Sequence, residues 1–229
     1  DFLLCRKEFK EIRVAPCQVE LRTIKLAPNI IHFKKAFLSN KYYQYCLDLG
    51  FEVRFKDFDS VKLHHEMLSE LRVQIDTREQ KPLNFKSINH HFDKLDYGDY
   101  KFYNDNGYEV YFERKSLSDL ISTVTLGDER FRNELSRAKE KGSYVVVVVE
   151  SSINDLLNFN NLKWIYSKHR IIPEYVCHNI RTLIQDFDNL QFLFIPSRIE
   201  AIKIMSNIFC TAGKYKTIDL QLASDLSLL

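Results

Sequence analysis

Between residues 99 and 115 the chain reads DYKFYNDNGYEVYFERK, two alternating runs rich in aromatic and β-branched residues around Asp105, Asn106 and Gly107. This is the pattern of a β-hairpin, and the register of the hairpin decides which side chains share a face. Two registers are open. A two-residue turn at Asn106 and Gly107 pairs Tyr100 with Glu113 and Phe102 with Tyr111. A three-residue loop, with Gly107 left-handed, pairs Phe102 with Val110 and Tyr100 with Phe112. Only the second collects the apolar side chains on one face, and a buried face is what fixes register. It also sets Asp99 opposite Glu113, with Lys115 two residues on and therefore on the face of Glu113.

Two facing carboxylates repel unless a proton or a cation lies between them. Hard oxygen donors of this kind suit Mg²⁺, with Mn²⁺ as a substitute, because such ions keep several positions free for water and substrate. A neighbouring lysine orients or deprotonates a water and offsets charge on a phosphate. The plainer alternative is a solvated sheet face on which Glu113 and Lys115 are ordinary surface charges.

Charge does not choose between them. The chain carries 33 Lys and Arg against 31 Asp and Glu, a net +2 with no basic block and no acidic tail, so any nucleic-acid surface has to be a local patch. At 229 residues and 45% hydrophobic, the chain has ample material for a packed core. No apolar run approaches the ~20 residues of a membrane-spanning helix, and the longest, Val145 to Val149, suits a buried strand. DFLLCRKEFKE meets charge too early for a secretory signal, and the five cysteines form no CxxC pair, so a soluble protein of a reducing, intracellular compartment is expected. Cys46 near His64 and His65 lacks paired metal ligands and reads as structural.

Three stretches follow from the patterning. Residues 1–70 form an N-terminal extension, with short helices expected at Asn40 to Leu49 and Asp59 to Leu71. Phe33, Lys34, Lys35, Lys41, Tyr42, Tyr43 and Tyr45 in this stretch serve either to stack bases and bind phosphates or as core with solvated lysines. Residues 71–212 read as strands, two helices and a strand, then two more helices around the strand Leu190 to Ile195. Leu117, Leu120, Ile121 and Val124 recur at helical spacing, as do Phe131, Leu135 and Ala138, and all seven are expected in the core. Val176, Ile180, Leu183, Ile184 and Phe187 give a third helix, and Ser197 to Glu200 is a capping-box start for a fourth. Residues 213–229 are a tail. The whole is an α/β architecture around a central sheet.

LRVQIDTRE at 71–79, GDY at 98–100 and ERKSLSDL at 113–120, in that order and spacing, resemble the nuclease domain of the XPF-type structure-selective endonucleases. Arg130 and Phe131 are similar to the family's Arg-Leu or Arg-Phe pair. The resemblance implies a restriction-endonuclease-like fold of the PD-(D/E)XK kind, a central mixed sheet flanked by helices, and Mg²⁺-dependent hydrolysis of DNA phosphodiesters in repair or recombination. By the same resemblance Asp99 and Glu113 are metal ligands and Lys115 positions the water, with Asp76 as an additional acidic residue near the metal. Arg78, Glu79, Arg114 and Asp119 match the supporting polar network, and Arg130 a phosphate contact. Asp76 ending a strand, Asp119 capping a helix and Arg130 as a solvated charge are the competing readings. Branched, flapped or otherwise distorted DNA is the implied substrate, with a homo- or heterodimer partner and no membrane. A catalytically silent DNA-binding or scaffolding subunit is the alternative, and the intact Asp99, Glu113 and Lys115 speak against it.

Overall fold

A computed structural model describes residues 62–85, 88–162, 171–225 and 227–229, together with the backbone of four short strands nearer the N-terminus. The helix expected at Asn40 to Leu49 and the aromatic and basic side chains at 33–45 lie outside the described residues. The chain falls into two compact units, residues 63–213 and residues 1–62 with 214–229. In the latter, β1 (Glu11–Arg13), β2 (Glu20–Arg22), β3 (Ile30–Phe33) and β4 (Glu52–Phe55) lie side by side in that order, the last pair parallel and the others antiparallel.

Residues 63–213 are built on a six-stranded sheet. Its strands are β5 (Arg72–Ile75), β6 (Asn89–Phe92), β7 (Tyr100–Tyr103), β8 (Glu109–Lys115), β9 (Val145–Val149) and β10 (Leu190–Phe194), in the order β10-β9-β8-β7-β5-β6. β10, β9 and β8 run parallel to their neighbours, β8, β7 and β5 antiparallel, and β5 and β6 parallel, which makes the sheet mixed as expected. All five valines of β9 are buried, as a strand covered on both faces requires. The hairpin takes the three-residue register: Tyr100 faces Phe112, Phe102 faces Val110, and Gly107 closes the loop at φ +82. Phe85, Phe102 and Phe112 meet edge to face at 5.7 and 4.9 Å beneath it, which is the buried face that the alternation called for.

Helices α1 (Leu117–Thr125), α2 (Asp128–Glu140), α3 (Ile153–Asn158), α4 (Pro173–Asp186) and α5 (Arg198–Cys210) complete the unit. The seven core residues expected in α1 and α2 are all buried. Fully burying a leucine or valine contributes about 1.5–3 kcal/mol, so each helix is held by its apolar stripe rather than by its propensity. Ser116 and Ser197 cap α1 and α5 by accepting the N–H of Asp119 and Glu200.

Two elements differ from expectation. The helix expected over 59–71 is, among the described residues, a single 3-10 turn at His65–Ser69. Met67 is its one buried residue and Leu68 is exposed, so no apolar stripe exists to hold further turns. α3 was not expected. Ser152 and Asp155 form a reciprocal capping box that starts it. The tail contains a short helix, α6 (Leu220–Asp225). No helix among the described residues is long and apolar enough to cross a membrane.

Candidate active site

Alternation along β8 sends Glu113 and Lys115 to one side of the sheet and Arg114 to the other. Lys115 Nζ lies 2.5 Å from Glu113 Oε1, and Glu113 is only 7% exposed. Asp99 comes one residue before β7, where the ladder ends. Its N–H donates to Phe112 O at 2.8 Å and its carbonyl accepts the N–H of Asp76 at 2.8 Å. Its Oδ2 accepts the Arg114 N–H at 2.8 Å, so a side chain takes the place of the next ladder carbonyl. Gly98 precedes it at φ +73, and a Cβ there would come 3.1 Å from Phe112 O. The Gly-Asp pair is therefore a tight turn that delivers one carboxylate to the end of β8.

The site is short of positive charge. Burial, then the charge on Asp99, pushes the Glu113 carboxyl up to about 7. Burial raises Asp99 to about 6, with the Arg114 N–H opposing and the charge on Glu79 adding to the rise. Burial alone would lower Lys115, but Glu113 and Asp99 outweigh it and hold the ammonium above the usual lysine range. Lys115 is thus a charged donor here and has no lone pair with which to act as a base.

Two carboxylates that hold protons this tightly form a donor set with affinity for a cation, and their oxygens are of the hard kind. Among the described residues, no group of three or more His, Cys, Asp or Glu side chains is arranged to hold a metal. A divalent ion at Asp99 and Glu113 would accordingly take most of its ligands from water and substrate, which suits Mg²⁺. Room for them exists in a cleft of about 410 Å³ lined by Glu113, Lys115, Thr123, Leu126, Arg130 and Glu134.

The remaining expected residues divide. Asp76 ends β5, but its carboxylate accepts from the Arg78 N–H, Nε and Nη2 at 2.7, 2.8 and 2.8 Å and from the Leu95 N–H at 2.8 Å. These four bonds use all of its lone-pair directions. The hydrogen-bonded guanidinium is the main reason its pKa falls to about 2. Its oxygens are spent on Arg78 and Leu95 rather than shared with Asp99 and Glu113, and it reaches the site through its N–H alone. On the opposite side of β8, Arg114 Nη2 meets Glu79 at 2.9 Å and Nη1 meets Glu150 at 3.0 Å, so one guanidinium ties the two acids together. Asp119 stands outside this group. Its Oδ2 accepts from Ser116 Oγ at 2.7 Å at the exposed start of α1, which is the capping arrangement. Arg130, in the first turns of α2, lines the cleft beside Glu113 and Lys115.

Three participants escaped the sequence. Glu134 accepts the Gly98 N–H at 3.2 Å and adds to the field that raises Glu113. Glu150 follows β9, and the readable signal was its position one residue past the valine run. Arg198, the first residue of α5, reaches Glu150 at 3.5 Å and donates to Lys81 O at 2.7 Å.

A family model for the ERCC4 domain matches residues 69–208. Among solved structures, XPF from Aeropyrum pernix in complex with DNA is 20% identical with a TM-score of 0.39, over 63% of this chain and 65% of that one. XPF from Aeropyrum pernix, in a second structure, is 19% identical with a TM-score of 0.37, over 69% of each chain. The present chain thus spans about two thirds of the length of the solved chains that it matches. No curated protein matches it.

Proposed function

This chain belongs to the ERCC4 domain family, a family of nucleases, and from that premise we propose that it is a divalent-metal-dependent DNA endonuclease with Asp99, Glu113 and Lys115 at its centre. The observation that carries the reading is the buried Glu113 carboxylate, held against Lys115 and next to a second acid, at the wall of an open cleft. A structural ion pair does not need the second acid, and a solvated surface would not raise both pKa values.

Asp99 and Glu113 would hold Mg²⁺ or Mn²⁺, which supplies charge on the scissile phosphate and a more acidic water. Lys115, charged and buried, donates to that water or to a phosphate oxygen and restricts its direction of approach. Arg114 anchors the end of β8 through Glu79 and Glu150, so Glu113 and Lys115 do not splay when an anion enters. Asp76 acts as an organiser: it fixes Arg78 and, through its N–H, the backbone of Asp99. Arg130 faces the cleft and is placed to meet a phosphate next to the cut. Branched or flapped DNA as substrate, a dimeric state and a role in repair or recombination extend the same proposal.

The test is cleavage of flap, fork and linear duplexes in Mg²⁺, Mn²⁺ and EDTA. Cutting that needs the metal and vanishes in Glu113→Ala, with DNA binding retained, is the expected result. Wild-type-like cutting by that variant would remove Glu113 from the mechanism, and a chain that shifts DNA without ever cutting it would be a scaffold.

A further inference from the structure

Net charge spread evenly over the chain leaves open where a nucleic-acid strand would lie. The basic residues of α2 answer differently on its two sides. Arg132 is tied to Asp128 and Asp186, both at 2.7 Å, and Lys139 to Asp188 at 3.1 Å. Arg130 and Arg137, both exposed, have no side-chain ion pair or hydrogen bond with any other described residue. Seven residues apart, they lie two turns from each other on one face, about 10.5 Å along the axis.

That face lines a second cleft of about 420 Å³, which shares Arg130 and Glu134 with the cleft of Glu113 and Lys115. Arg78 lies on its wall, its guanidinium fixed by Asp76 yet 63% exposed, so its remaining N–H groups stay available. The cleft's acids are largely engaged: Asp96 pairs with Lys141 at 2.5 Å and Glu134 accepts from Gly98. Glu129 stands in the first turn of α2, where the helix dipole favours it. Three arginines that are rigid or unpaired, in a groove continuous with the site, are a phosphate track in form.

We propose that the α2 face from Arg130 to Arg137, with Arg78 beside it, carries the phosphodiester backbone of the DNA strand leading away from the Glu113–Lys115 cleft, with Arg137 the outer phosphate contact. The proposal rests on the nuclease reading and deepens it by giving the strand a direction over the surface.

The experiment is equilibrium binding of a fluorescently labelled duplex to the full chain in EDTA, read by anisotropy over a salt series. Arg137→Ala should lower the slope of log K against log salt by about 0.9, so that between 50 and 200 mM salt the wild type loses about 3.5-fold more affinity than the variant. Arg137→Lys should restore the slope. Lys139→Ala, the same charge change on the other side of the helix, should leave it at the wild-type value. A wild-type slope in Arg137→Ala, or an equal drop in Lys139→Ala, overturns the track. If metal-dependent cutting persists in that case, the nuclease reading stands without it; a chain that binds no DNA at all removes both.

Discussion

Glu113→Gln should make the cation-free protein more stable at pH 8. In the native fold Glu113 titrates at about 7 against an ordinary 4.5, so folding raises its proton affinity by about 2.5 pH units. An acid with a higher pKa folded than unfolded stabilises the fold while protonated. That contribution is fully present below about 4.5 and is lost as pH rises through about 7. At 1.36 kcal/mol per unit, the ionised form at pH 8 costs about 3 kcal/mol relative to the protonated one. Glutamine keeps the shape and removes the charge, so the variant should gain up to about 3 kcal/mol at pH 8 and almost nothing at pH 4. Urea unfolding in EDTA at the two pH values measures it. Adding Mn²⁺ should then stabilise the wild type and leave the variant unmoved, since a ligand stabilises only the state that binds it. A variant less stable than the wild type at pH 8, or equally shifted at both pH values, would show that the Lys115–Glu113 pair is a structural ion pair and not a charge-starved site.

Lys115→Met should keep Mn²⁺ binding, measured by calorimetry, while turnover falls at least 100-fold; affinity collapsing with activity would make Lys115 a support for the acids instead of a donor to the reaction. Asp76→Asn should cost about 2 kcal/mol at pH 7, because the native pKa of about 2 against 3.8 stabilises the fold above pH 4. The wild type should lose that increment as pH falls from about 4 through 2, and an Asn variant with unchanged urea midpoints would contradict the Arg78 clamp.

The candidate site was legible because it is local. Asp99, Glu113 and Lys115 lie within seventeen residues, on two strands whose register follows from one buried face. The core of α1 and α2 was legible for the same reason, since periodicity is a property of a short window. What escaped depends on distance along the chain. Glu134 bonds a backbone N–H 36 residues away, and Arg198 reaches the carbonyl of a residue 117 positions earlier; neither leaves a pattern at either end. Asp76 is of the residue type that binds metals, but the guanidinium two residues on and the Leu95 N–H take up its oxygens, a competition that residue type alone does not reveal. Among the described residues of the 59–71 segment only Met67 and Leu71 are well buried, too few at helical spacing to hold more than one turn, and α3 rests on the pair Ser152 and Asp155 rather than on a long apolar stripe.

The hairpin tip at Asp105, Asn106 and Gly107 touches neither Asp99 nor Glu113; Asp105 pairs with Arg72 at 2.6 Å and Asn106 donates to Glu70 at 2.8 Å, exposed contacts whose loss should cost little, so its first two residues should tolerate exchange. Its length should not. Removing a single residue there would favour the shorter turn and slide one strand past the other, carrying Glu113 out of line with Asp99. Mutational scans that only swap residues would call this loop dispensable, whereas a scan of single deletions should find it as intolerant as Asp99 and Glu113, the candidate site residues six positions away on either side.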